Sequence, residues 1–117
     1  SFLDQSDLNR FVRVLRHNVN TMRKAMGRFE EPYSEMSQNF AAILIKVTLP
    51  DVEKRHLALK MIGKTVEITA EQKRQGKHVK TFYRSIDLPS TADITKATAK
   101  YIGETLYIKV PQFFTRE

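Results

Sequence analysis

Apolar residues change their spacing once along the chain. In the first part they fall at Leu8, Val12, Leu15, Val19, Met22, Met26 and Phe29, in alternating steps of four and three. Such steps line one face of an α-helix. Asp4, Ser6 and Asp7 suit a cap or first turn, and Gly27 suits a frayed last turn. The seam occupies heptad positions d and a. The flanking positions are Asn9, Arg16 and Arg23 on one side and Phe11, Asn18 and Ala25 on the other, so no interhelical salt bridges are written. An amphipathic helix is therefore expected to pack on itself, on the rest of the chain or on partner chains. Residues 30–39 hold Pro32, Ser34 and Ser37 and read as a linker.

From Phe40 onward the period is two. Ile43, Ile45, Val47 and Leu49 alternate with Leu44, Lys46 and Thr48 until Pro50. Leu57, Leu59 and Met61 alternate with Ala58 and Lys60 before the turn residues Gly63-Lys64, and Val66, Ile68 and Ala70 alternate with Glu67 and Thr69. Gly76 turns a polar stretch over residues 71–77. Phe82, Ile86 and Leu88 then share a strand face, closed by Pro89. Residues 97–102 and 106–110 give the last strands, ended by Pro111. Short strands with regular turn signals predict an all-β sandwich of the immunoglobulin-like kind. The expected division is an N-terminal amphipathic helix and linker over 1–39, the sandwich over 40–111 and a short tail over 112–117.

Composition changes this picture little. The chain has 117 residues, enough for one domain with a real core, and it has no cysteine. Disulfides and thiolate sites are thereby excluded, and a cytoplasmic setting is expected. No apolar run approaches the roughly 20 residues of a membrane-spanning helix. The net charge of +7 is uneven. Residues 1–29 carry Arg10, Arg13, Arg16, Arg23, Lys24 and Arg28 against Asp4 and Asp7, whereas the remainder carries fourteen basic residues against eleven acidic ones.

The candidate chemistry is sparse. Gly63-Lys64-Thr65 ends like a phosphate-binding loop, but the upstream glycine it needs is Ala58 and strands surround it. A hairpin turn explains it. His17, His56 and His78 have no paired metal-ligand spacing, and Asp51 and Glu53 sit among Lys54 and Arg55 as solvated charge. Neither an enzyme nor a cofactor is expected. Lys73, Arg74, Lys77 and Lys80 could meet a nucleic acid, yet no aromatic platform is interleaved, so a solvated hairpin tip is the simpler reading. Arg84 is the one misplaced charge. It lies between Phe82 and Ile86 on their shared face, so it needs a carboxylate or a hydrated subunit boundary. An edge arginine reaching water along its stem is the alternative.

Over residues 40–111 the chain resembles the α-crystallin domain of small heat-shock proteins. Leu49-Pro50-Asp51-Val52 resembles the family's Leu-Pro-Gly-Val bend, and Leu57 follows at the family's interval. Thr65-Val66-Glu67-Ile68 stands where the next strand falls. Residues 82–89 resemble the Phe-x-Arg…Leu-Pro strand, and Ala99 to Leu106 has the spacing of the Ala…Gly-Val-Leu signature. The departures are Asp51 for the bend glycine, and Glu104-Thr105-Leu106 with its glycine one place early at Gly103. The segment over 71–81 is also too short for a swapped loop strand, and no Ile-x-Ile motif follows Pro111.

The resemblance implies an ATP-independent holdase chaperone that binds unfolding clients and forms homodimers or larger homo-oligomers. It implies dimerisation through the strand carrying His78, Lys80, Phe82, Arg84 and Ile86. It also implies a groove for clients or tails between strands 57–62 and 97–102, lined by Leu57, Leu59, Met61, Ala99 and Tyr101. The N-terminal seam, with Phe2, Leu3, Phe11 and the Phe113-Phe114 pair, would add deformable apolar surface. Two rivals stand behind this reading. One is a peripheral membrane or polyanion binder using the basic helix. The other is a monomeric co-chaperone adaptor resembling CS domains.

Overall fold

The computed structural model describes residues 2–3 and 29–113. Nine strands run in chain order: β1 (Phe2–Leu3), β2 (Phe29–Glu30), β3 (Ser34–Gln38), β4 (Ala42–Thr48), β5 (Leu57–Ile62), β6 (Thr65–Arg74), β7 (Lys77–Asp87), β8 (Thr98–Ile102) and β9 (Thr105–Pro111). They form two sheets, one ordered β1-β8-β9-β4-β3 and the other β2-β7-β6-β5. The expected all-β sandwich is present.

Alternation decides which side chains meet between the sheets. Ile43, Ile45 and Val47 of β4 and Leu106, Ile108 and Val110 of β9 turn inward from one sheet. Leu57 and Leu59 of β5, Val66, Ile68 and Ala70 of β6, and Phe82 of β7 turn inward from the other. Each such large side chain contributes about 1.5–3 kcal/mol by leaving water. The turns follow from backbone chemistry. Gln75 and Gly76, with φ of 54° and 76°, form the two-residue turn between β6 and β7. Positive φ at both central residues matches the right-handed twist of the strands they join.

Asp51 stands where the resembled bend has glycine, and its φ is 57°. This left-handed conformation explains why glycine suits that place, and aspartate is among the few other residues that tolerate it. The bend is pinned on two sides. Asp51 N–H donates to Glu104 Oε2 at 2.5 Å, and Arg74 donates to Asp51 Oδ2 at 2.9 Å. Beneath it Tyr101, 6% exposed, donates its hydroxyl to the Val52 carbonyl at 2.7 Å.

Two expectations change. Residues 30–39, read as a linker, hold β3, which pairs with β4 from Ser34↔Val47 to Gln38↔Ile43. The helical seam from Leu8 to Met26 lies outside the described residues, and its last member, Phe29, is in β2 rather than in a helix. Among the described residues the only helical turns are the 3₁₀ segments Lys54–His56 and Ile94–Lys96.

Candidate functional site

β7 is the longest strand and lies one place from the end of its sheet. Its inward row is set by register: Phe82 opposes Ala70, Arg84 opposes Ile68, and Ile86 opposes Val66. Phe82 is buried and Ile86 packs partly against the core. Lys80, opposite Gln72, continues the row. His78 does not. The register shifts between Gln72 and Lys73, where β7 passes from Lys80 to His78 and leaves Val79 without a register partner. This bulge turns His78 to the other face, where its Nδ1 lies 2.9 Å from Glu71. Of the five residues assigned to this strand's edge, the structure aligns Lys80, Phe82, Arg84 and Ile86 and sets His78 apart.

Arg84 has the neighbours its position demands. Its Nε donates to the Pro32 carbonyl at 3.1 Å, and its terminal nitrogen lies 3.4 Å from Glu31. The same segment runs on along the strand. Phe29 and Glu30 pair in parallel with Thr81 and Phe82. Glu30 meets Lys80 at 3.0 Å, and the Phe29 ring meets Tyr83 edge-on at 6.2 Å. Residues 29–32 thus lie along the outer edge of β7 through one ladder, two ion pairs and one aromatic contact. Sequence reading finds Arg84 but misses Glu30, Glu31 and the Pro32 carbonyl. The only local signal is an acidic pair beside a proline.

The strands of the expected groove occupy sheet margins. β5 ends its sheet, while β8 carries β1 on its free side, with Phe2↔Lys100 and Leu3↔Ala99. Leu57, Leu59, Ala99 and Tyr101 are buried in the shared core, and Met61 is partly buried against it. Burial raises the Tyr101 phenol to about 12, with Glu104 adding to the shift. Tyr101 therefore stays a neutral donor at any physiological pH.

Exposed apolar groups lie at the ends of both strands, Ile62 of β5 and Ile102 of β8, and along β3 and β4. Met36 of β3 and Leu44 of β4 are about half exposed, and Tyr33, just before β3, and Phe40, in the bend between β3 and β4, are more so. Glu35, Met36, Ser37, Leu44 and Lys46 line a shallow depression between these strands. The carboxylate of Glu35 raises the neighbouring Tyr33 phenol. On the same sheet Lys46 and Lys100 flank the Tyr107 ring at 5.9 and 5.4 Å.

The basic tip is largely matched by acids: Lys73 by Glu71, Arg74 by Asp51, and Lys80 by Glu30. Gly63 and Lys64 form the tight turn between β5 and β6, and Lys64 donates to the Ala92 carbonyl. Among the described residues no group of three or more His, Cys, Asp or Glu could hold a metal ion, and no helix is long and apolar enough to cross a membrane.

The model of the Hsp20/alpha crystallin family matches residues 35–116. No curated protein matches the chain. Among solved structures, a small heat-shock protein from Xylella fastidiosa is similar at 18% identity and a TM-score of 0.67, covering 75% of this chain and 91% of that one. HSP18.5 from E. histolytica is similar at 19% identity and a TM-score of 0.66, covering 74% and 92%. Heat shock protein 16.0 from Schizosaccharomyces pombe follows at 17% identity and a TM-score of 0.60, covering 75% and 94%.

Proposed function

Because the chain belongs to the Hsp20/alpha crystallin family, we propose that it is an ATP-independent holdase, keeping unfolding proteins from aggregating by covering their exposed apolar surface. Family membership supports a chaperone role in general. The observation that carries the finer reading is the exposure of Tyr33, Met36, Phe40 and Leu44 along the β3–β4 margin, and of Ile62 and Ile102 on β5 and β8, outside a sandwich whose interior is closed. Apolar side chains outside a complete core cost the protein solubility unless they serve an interaction. A client that exposes its own core gains about 25 cal/mol for each Å² it buries against them. Binding of this kind is non-directional, so it accepts clients of many sequences and needs no nucleotide.

The helical seam from Leu8 to Met26 is proposed to extend this surface, with Met22 and Met26 adapting to varied partners. The margin formed by β5 and β8, with Leu57, Leu59, Met61, Ala99 and Tyr101, is proposed to receive client or tail segments. Its core positions shape the margin from beneath. Two copies are proposed to pair in antiparallel fashion along residues 78–86 of β7, which satisfies backbone groups that an open edge leaves to solvent. A cytoplasmic setting fits a chain without cysteine.

The test is direct. The full chain, at equimolar ratio and with no nucleotide, should suppress heat-induced light scattering by an unrelated thermolabile protein. Unchanged client aggregation while this chain stays folded would contradict the reading.

A further inference from the structure

We propose that residues 29–32 form a displaceable strap that competes with a second copy of this chain for the edge of β7. The inference rests on the edge-pairing reading above and adds what controls it.

The argument begins with position. Antiparallel pairing along residues 78–86 about a twofold axis is centred on Phe82. The strap's ladder covers Thr81 and Phe82, so it occupies that centre. A strand edge has one row of free N–H and C=O groups and accepts one neighbour about 4.8 Å away. Strap and second copy therefore exclude each other. On either side of the ladder the edge of β7 carries no other strand among the described residues.

The strap is also built to leave. Its ladder is two residues long; beyond it stand an exposed aromatic edge, the Arg84 hydrogen bond to the Pro32 carbonyl, and two ion pairs in which Glu30 and Glu31 are 53% and 75% exposed while Lys80 and Arg84 are 26% and 28% exposed. Exposed pairs of this kind are weak and are screened by salt. Of the strap's side chains only Pro32 is buried, and none belongs to the core cluster.

Charge gives the sign of the control. Glu30 and Glu31 neutralise Lys80 and Arg84. In a register centred on Phe82, Arg84 faces the partner's Lys80. Release of the strap then brings four cations together across the twofold axis. Salt acts twice in one direction: it weakens the strap's ion pairs and screens this repulsion. Dimerisation should therefore strengthen as ionic strength rises, the opposite of an interface held by ion pairs.

The chain has no cysteine, so a single disulfide can lock the strap. Phe29 and Thr81 are register partners, and neighbouring strands place their Cα atoms within disulfide range. Full-length Phe29→Cys/Thr81→Cys should be monomeric when oxidised and should dimerise like the unaltered protein when reduced. Size exclusion coupled to light scattering reads the state, and circular dichroism confirms equal strand content. The expected loss of dimer affinity on oxidation is at least about 100-fold, since the edge is no longer available. As a second probe, Glu30→Gln/Glu31→Gln should tighten the dimer roughly three- to tenfold at low salt, with the gap closing at high salt.

Equal dimerisation of the oxidised and reduced forms, with Ser85→Pro still abolishing the dimer, would overturn the strap while sparing edge pairing. A Ser85→Pro protein that remains a native-like dimer would overturn both. Absence of any dimer across salt concentrations would do the same.

Discussion

The interior of the sandwich and the strap over β7 are held by opposite kinds of contact. Inside, Ile43, Ile45, Leu59, Ile68, Leu106 and Ile108 are almost wholly removed from water and meet one another across two sheets. Along β7, residues 29–32 are held by a short ladder, two ion pairs with exposed carboxylates, one hydrogen bond to the Pro32 carbonyl and the half-exposed Phe29, with only Pro32 buried. Apolar burial is not screened by salt and is cooperative with the whole fold, whereas exposed charge is local and screened. The fold can therefore keep its sandwich while changing what covers its edge.

The contrast can be broken most forcefully at the core. Leu106→Ala should cost about 2–5 kcal/mol of stability in urea unfolding, since it leaves a cavity between tightly packed strands. Phe29→Ala should cost less than about 1.5 kcal/mol, the range of an edge-on aromatic pair. Equal costs would mean that the strap belongs to the core.

Tyr101→Phe sharpens the boundary between apolar and polar support. It keeps the ring but strands the Leu49 and Val52 carbonyls, at a cost of about 1–3 kcal/mol. The pH dependence has a definite sign. The folded phenol sits at about 12, above the 10 expected of the unfolded chain, so the unfolded state loses its proton first. Tyr101's contribution is complete below pH 10 and fades as pH rises through about 12. The stability difference between the unaltered protein and Tyr101→Phe should shrink over that window, and a constant difference would contradict the assignment.

Smaller effects belong to the strap. Glu30→Gln should lower stability by less than about 1 kcal/mol at low salt and by nothing measurable at high salt. Thr81→Val should be neutral or stabilising, because the buried Thr81 hydroxyl has no hydrogen-bond partner among the described residues. A marked loss in Thr81→Val would show that this hydroxyl is engaged after all.

The same contrast governs what can be read from the sequence. Strands β4, β6 and β9 are legible because half-buried strands must alternate: β4 and β9 hide Ile, Val or Leu at every second place, and β6 hides Val66, Ile68 and Ala70. β3 is not legible. Ser34-Glu35-Met36-Ser37-Gln38 is exposed along most of its length, so burial leaves no periodic mark on it. β2 is too short to carry a period. The bulge at Val79 leaves no sign either, and it moves His78 off the face that simple alternation assigns.

Arg84 shows the limit within one residue. Its misplacement is visible from Phe82 and Ile86, but its partners lie more than 50 positions away and one is a backbone carbonyl. No side-chain pattern records a carbonyl acceptor. The groove residues divide in the same way: alternation places Leu57, Leu59 and Ala99 on a buried face, whereas their line along a sheet margin comes from the resemblance alone.

Residue-resolved hydrogen exchange on the full chain, at low and high salt under conditions that keep it monomeric, tests the central contrast most directly. The amides of residues 29–31 should exchange orders of magnitude faster than those of Ile68, Leu106 and Ile108, and should speed up further with salt while the core amides hold steady. Exchange of strap and core at one common rate, unmoved by salt, would show a single cooperative unit and contradict the separation on which the proposed assembly at β7 depends.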